Sequence, residues 1–305
     1  MTSHGRSGPA YRPTVVQTRL GPVEYAVLGT GAPVIVVHGT PGGIDAASLM
    51  AGFLPYDKIS SILLSRPGYL GTELGDRKTI EQQAELLVAL LDHLGIHRAG
   101  VFTWSGGGPA GYRLAVRHPD RINALVANAA ISHAYHEQPL DLAGRFMFHT
   151  RPGRQLLHLL AAHAPKQYIA GAVSTVGDLS QQQLAQRVDE IMADPIKRDF
   201  VLAIGPTANQ DAHRRAGYDN DLQQFAAISS LELANITAPT LLIQGNADSD
   251  LVEHSTYAAA TIPGAELLAL DTGTHFALYT DPGAARAQAR VIDFLLRGHT
   301  AQDRS

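Results

Sequence analysis

The 305-residue chain contains no cysteine. That absence excludes disulfides, thiol nucleophiles and thiolate metal sites together, and gives no sign of an oxidising compartment. Charge is also scarce. Asp, Glu, Lys and Arg make up 17% of the residues, the formal net charge is −4, and no dense basic run occurs. Nucleic acid and anionic membranes are therefore not expected as partners. No apolar stretch approaches the roughly 20 residues of a membrane-spanning helix, and no basic-then-apolar segment opens the chain. A cytoplasmic location is the expectation, and the sequon Asn235-Ile236-Thr237 reads as a chance match. The 45% of hydrophobic residues that remain, over this length, suffice for one α/β domain with an insertion.

The densest local signal is Val101-Phe102-Thr103-Trp104-Ser105-Gly106-Gly107-Gly108-Pro109. An apolar run stops at a serine, and a helical pattern begins at once. The small residues Thr103 and Gly107, two positions either side of Ser105, permit a sharp strand-to-helix turn that lifts the hydroxyl clear of the backbone. The amide of Gly106 then falls at a helix N-terminus, where unpaired N–H groups and the helix dipole favour an anion. A nucleophile beside an anion site is what acyl transfer requires. The alternative is an ordinary turn with a helix-capping serine. Two further loops follow downstream. Leu241-Leu242-Ile243-Gln244-Gly245 reads as a buried strand, with Asp248 three residues past its glycine. Glu266 to Leu270 reads as another strand, running into Gly273-Thr274-His275-Phe276. The order Ser, Asp, His matches one known arrangement of the triad. Asp250 is the rival acid, while Ala129-Ala130, after the run ending at Asn128, supplies none.

The rest of the chain alternates in type. Val15 to Leu28 reads as a hairpin turning near Gly21-Pro22, and strands are expected at 33–37, 59–64, 98–103 and 122–128. Helices are expected near 44–52, 79–94 and 106–118, the second marked by a stripe of Ile80, Ala84, Leu87 and Leu91. This alternation predicts a mostly parallel, twisted sheet with helices on both faces. Residues 133–235 break the pattern with helical stretches near 153–164, 166–174, 180–193 and 196–215, one opened by the capping box Ser180-Gln181-Gln182-Gln183. The expected organisation is a flexible N-terminal arm (1–13), a core (14–132 and 236–300) and a helical insertion (133–235). His133 with His136, and His158 with His163, have spacings a metal site uses, but no nearby acid or histidine completes either set. No metal and no cofactor are expected.

From about Val15 to Leu296 the chain resembles the α/β-hydrolase superfamily of serine hydrolases. Besides the serine, aspartate and histidine segments, the resemblance rests on two loops. One is His38-Gly39-Thr40-Pro41-Gly42-Gly43 after the run Val34–Val37, and the other is Ser65-Arg66-Pro67-Gly68-Tyr69-Leu70-Gly71-Thr72. Thr103 departs from the glycine usual at its position. The resemblance implies an α/β-hydrolase fold with Ser105 as nucleophile, His275 as base and Asp248 as its orienting acid. It implies the amides of Thr40 and Gly106 as oxyanion hole, and residues 133–235 as a cap that roofs the site, excludes water and acts as a lid. His38 is expected to fix the oxyanion loop, with Thr40-Pro41 cis or trans left open. Arg66 is expected to pair with a carboxylate beneath the loop, with a pocket wall as the alternative; Trp104 is expected to pack under the elbow or to line the pocket.

The implied activity is hydrolysis of carboxylic esters, lactones included, with a small acyl compound as partner and oligomeric state undetermined. Two alternatives stand beside it. One is a proline-iminopeptidase-like enzyme using Glu137, Asp141, Asp219 and Asp221 to bind an amine. The other is a receptor that retains the triad without turnover. Dehalogenases and epoxide hydrolases of this fold need a carboxylate where Ser105 stands.

Overall fold

Apolar runs of five to eight residues, bounded by glycine, proline and polar turns, form one eight-stranded sheet in the computed structural model, which describes residues 11–137 and 142–300. The strands are β1 (Thr14–Thr18), β2 (Gly21–Leu28), β3 (Ala32–Val37), β4 (Ile59–Leu64), β5 (Ala99–Trp104), β6 (Ile122–Asn128), β7 (Thr240–Gly245) and β8 (Glu266–Leu270). Their spatial order is β1-β2-β4-β3-β5-β6-β7-β8. The β1–β2 and β2–β4 pairings are antiparallel and the others parallel. The hairpin turns two residues earlier than expected. Thr18 faces Gly21 across Arg19-Leu20, because the Thr18 hydroxyl accepts from the Leu20 amide (3.2 Å) and donates to the Gly21 carbonyl (2.8 Å). The expected arm at 1–13 lies mostly outside the described residues; within it, Tyr11 packs against the core.

Helices cover both faces, as the continuous apolar strands require. They are α1 (Ile44–Met50), α2 (Ile80–His93) and α3 (Gly108–Arg117), then after the insertion α10 (Val252–Thr261), α11 (Ala277–Thr280) and α12 (Ala284–Thr300). Period-2 alternation divides the buried side chains between the faces. Ile35, Val37, Val101, Leu125 and Leu242 meet Leu87 and Leu91 of α2 on one side. Val34, Val36, Phe102, Val126 and Ile243 meet Val291, Phe294 and Leu295 of α12 on the other. Thr79 closes the N-terminus of α2 with a capping box to Gln82. Among the described residues no helix is long and apolar enough to cross a membrane.

Between β6 and β7 the regular elements among the described residues are helices: α4 (Leu142–His149), α5 (Arg151–His163), α6 (Pro165–Thr175), α7 (Gln181–Ala193), α8 (Pro195–Thr207) and α9 (Arg215–Ala226). The capping box at Ser180 and Gln183 is present. The helix expected over 196–215 ends at Thr207, and residues 208–214 form a turn before α9. Pro206 lacks an amide to continue α8, and the chain turns at Asp211 so that Arg214 reaches the Gly42 carbonyl and the Asp45 carboxylate. The helices α4 and α9 were not anticipated.

The connectivity locates a crevice. From β3 the chain moves outward to β4, then returns to β5 on the opposite side of β3. At such a reversal the loops leaving the carboxyl ends of the two strands diverge and open a cleft. Those loops begin at His38 and Ser105.

Candidate active site

Ser105 follows β5 directly and holds a left-handed φ of 54°. A β-branched or bulky side chain tolerates this region poorly, and a serine held there signals stored strain at a functional position. The surroundings enforce the conformation. A Cβ on Gly107 would lie 2.5 Å from the Val37 carbonyl oxygen and 2.7 Å from that of His38, so only glycine lets α3 start this close to β3. Thr103, the departure from the usual glycine, fits because it faces Gly107 and Gly111, neither of which carries a side chain. The opposing loop touches the elbow: a Cβ on Gly106 would fall 2.1 Å from Thr40 Oγ1, and one on Gly39 would fall 3.1 Å from Ser105 Cβ. Ser105, Gly106 and Thr40 are thus one contiguous group at the start of a helix.

Asp248 and His275 are joined by a 2.8 Å hydrogen bond between Oδ2 and Nδ1. The Asp248 Oδ1 accepts from the amides of Asp250 (3.0 Å) and Leu251 (3.3 Å), and Oδ2 also accepts from Gln244 Nε2 (3.3 Å). Burial by itself would push this carboxyl up. The opposing pull of His275 and the amide donors outweighs it and holds the group below its ordinary value. An ionised Asp248 fixes the proton on His275 Nδ1 and leaves Nε2 as the basic nitrogen. The imidazole lies against the indole of Trp104, centroids 5.4 Å apart and planes at 26°, which sets its second orientation. Trp104 itself is buried among Phe200, Phe276 and Tyr279. Asp250 points elsewhere and accepts from the Tyr135 hydroxyl.

Beneath the oxyanion-loop candidate runs a buried polar network. His38 Nε2 accepts from the Arg66 amide (2.9 Å), so Nδ1 carries the proton and donates to the Gly39 carbonyl (2.7 Å). Burial, then the Arg66 charge, push this imidazole well below its ordinary value, so it stays neutral. The Thr40–Pro41 peptide bond is cis. The guanidinium of Arg66 donates to the carbonyls of His38 and Gly39, to Gln83 and to both oxygens of Asp221 (2.6 and 3.0 Å). Asp221 is on α9, in the insertion. It also accepts from the hydroxyls of Tyr69 and Thr40, each at 2.6 Å. Arg66 has its expected carboxylate; that the acid comes from 155 positions downstream, with Tyr69 and Gln83 as further partners, had no local signal.

Three of the four acids considered for amine recognition have partners within the chain. Asp221 is fully buried and its oxygens are committed. Asp219 pairs with Arg215 at 2.8 Å on the surface, Glu137 bonds the Tyr218 hydroxyl, and Asp141 lies outside the described residues.

His133 stacks on His254, centroids 3.8 Å apart, rather than on a partner suited to a shared ion. Among the described residues no three His, Cys, Asp or Glu are grouped to hold a metal. His254 is 4% exposed, and its Nδ1 accepts from the Ser132 amide (3.1 Å). Burial first, then the facing His133, push its pKa down to about 4 against the pull of Asp248. The unfolded chain therefore binds this proton first as pH falls. The stability held by the neutral ring is complete above about pH 6.5 and is lost progressively toward pH 4. His254→Asn keeps an acceptor for the Ser132 amide without titrating. Its urea midpoint is expected to fall less than the parent's between pH 7 and pH 5; an equal fall would remove His254 from the account.

Comparison with known proteins follows the same lines. The model of the alpha/beta hydrolase fold family matches residues 32–282. An alpha/beta hydrolase fold protein from Nakamurella multipartita is 48% identical, with a TM-score of 0.91 over 94% of this chain and 100% of that one. The uncharacterized hydrolase YcgS of Bacillus subtilis is 27% identical over 90% of this chain and 95% of its own length. A putative carbamate hydrolase, RutD of Caulobacter vibrioides, is 29% identical over 69% of this chain and 70% of its own. With the family model covering most of its length and the elbow, sheet order and helical insertion in place, the chain belongs to the α/β hydrolase fold family.

Proposed function

We propose that the chain is a serine hydrolase of carboxylic esters, lactones included, working through an acyl-enzyme on Ser105. The observation that carries this reading is Ser105 itself, held at φ 54° on a strand end with Thr40 and Gly106 packed together beside it. In this mechanism His275 Nε2 removes the Ser105 proton as Oγ attacks the carbonyl carbon. Asp248, ionised below its ordinary range, stabilises the resulting imidazolium. The amides of Thr40 and Gly106 bind the oxyanion, where pre-set donors gain most because they need no reorganisation. The imidazolium then protonates the departing alcohol. Water, deprotonated by the same nitrogen, attacks the acyl carbon, and Ser105 leaves with the proton restored. The core comprises 14–132 and 236–300, and the insertion 133–235 serves as the cap over this site.

Amine recognition lacks support, because Asp221 is consumed by Arg66, Tyr69 and Thr40. Carbamates, suggested by the name of the Caulobacter relative, present the same acyl carbon and form the companion substrate series. The test is hydrolysis of p-nitrophenyl esters of increasing acyl length, with a set of lactones. Turnover with an optimum chain length is expected. Turnover of carbamates alone would replace the ester assignment, and binding of esters without product release would favour the receptor.

A further inference from the structure

β8 is the last strand of the sheet, so the loop that carries His275 has no neighbouring strand on its outer side. The insertion fills that place with main chain. Between α6 and α7, the Val176 carbonyl accepts from the His275 amide (3.1 Å), Gly177 forms an isolated antiparallel bridge with Asp248, and the Asp178 amide donates to the Ala247 carbonyl (2.8 Å). The Ala247 amide in turn donates to Gly273 (2.8 Å), so three segments from distant parts of the sequence share one small ladder. A second anchor grips the same loop. On α7, Arg187, 5% exposed, donates to Thr272 Oγ1 (2.9 Å) and to Asp281 (3.2 Å), and Lys197 of α8 donates to the Asp281 carbonyl (3.0 Å).

We propose that residues 176–178 are a positioning strap: the main chain of the insertion sets the Asp248 and His275 loops relative to each other, and Gly177 is required for its seat. This inference rests on the catalytic roles proposed above. Gly177 touches no reacting atom. Its place is fixed by contact, since a Cβ there would lie 2.3 Å from Thr274 Cγ2, 2.9 Å from Thr274 Cβ and 3.1 Å from the Val173 carbonyl. Thr274 is itself buried and adjoins His275 in sequence. A side chain at 177 must therefore displace the residue next to the base or lift the strap from Asp248. Misplacement of a catalytic group by about 1 Å costs on the order of 100-fold in rate. Binding of substrate elsewhere in the cleft is untouched, so the loss falls on kcat.

The test is Gly177→Ala, with Gly171→Ala on α6 as control, because a Cβ at 171 meets nothing within 4 Å. Gly177→Ala is expected to lower kcat about tenfold or more with KM within about twofold, and to shift or broaden the low-field proton resonance of the His275–Asp248 hydrogen bond. Gly171→Ala is expected to match the parent. Adding Thr274→Ser to Gly177→Ala removes the closest contact and is expected to restore part of the rate. If Gly177→Ala does not fold, Arg187→Gln, which frees the same loop without added bulk, carries the test with the same expected split. A folded Gly177→Ala with parental kcat and an unchanged resonance overturns the strap, as does a parental Arg187→Gln in the fallback. Ser105→Ala is run alongside. If it keeps the parental rate, the catalytic reading fails and the strap with it; if it is inactive while Gly177→Ala is not impaired, the strap alone fails.

Discussion

Replacing Ser105 by alanine is expected to lower kcat/KM for the best ester by on the order of 10³-fold or more, with little change in melting temperature. The two halves of this expectation have separate origins. In the proposed mechanism the rate depends on Oγ as the atom that bonds to the acyl carbon; the neighbouring Thr40 hydroxyl is committed to Asp221 and does not replace it. Stability depends on the backbone, and alanine at φ 54° carries the same left-handed penalty as serine. Ser105→Gly should be equally inactive and at least as stable as Ser105→Ala, since glycine adopts this conformation without that penalty. His275→Ala is expected to lose activity on the same scale, and the double variant little more than either single one, because the two groups act in one step. Steady-state kinetics and thermal melts on the four variants check this. Parental turnover by folded Ser105→Ala would place the nucleophile elsewhere.

The second large effect concerns stability. Asp221→Asn is expected to cost about 3–5 kcal/mol, because it leaves the Arg66 guanidinium, 1% exposed, buried without its counter-charge. The carbonyls of His38 and Gly39 and the Gln83 side chain would still accept from it, but none is charged. Burial alone would lower the pKa of Arg66, yet it stands above its ordinary value because Asp221, and then Tyr69, favour the charged guanidinium, which shows the direction of the dependence. Arg66→Met combined with Asp221→Leu removes both charges and is expected to cost less than the sum of the single changes. The network also bears on rate. In Asp221→Asn a single uncharged oxygen is left to accept from Arg66, Tyr69 and Thr40, so the proposed oxyanion loop loosens, and kcat of the folded fraction is expected to fall as well. Urea unfolding of the two single variants and the double variant measures the coupling. A cost under about 1 kcal/mol for Asp221→Asn would mean that water or a neighbouring group compensates Arg66.

The parts of this molecule that local physics dictates were legible in the sequence. Strands β3 to β7 are mostly apolar runs because both faces are covered, and the stripe on α2 and the box at Ser180 are short-range signals. Ser105, Asp248 and His275 stood out because each follows a strand end and sits among small residues. What was hidden depends on contacts between distant segments. Helix α9 carries Gly217, Asp219 and Asn220, poor helix formers, and its apolar stripe is interrupted by Asp221, a polar residue buried for its partners rather than its periodicity. Pro206 is tolerated within the last turn of α8, which blurred the end of that helix. Gly177 reads as an ordinary turn glycine; its necessity comes from Thr274, nearly a hundred residues away. Arg66 announced that it needed a carboxylate but not which one.

The most direct test of the central claim is covalent trapping. The protein is incubated with a p-nitrophenyl alkylphosphonate, and its intact mass and tryptic peptides are measured. The account predicts one adduct per chain, release of one equivalent of p-nitrophenol, and modification confined to Ser105 in the peptide Ala99–Arg113, with labelling slowed by a competing ester. An adduct on another residue, or esterase turnover that continues undiminished after Ser105 is fully labelled, would contradict it.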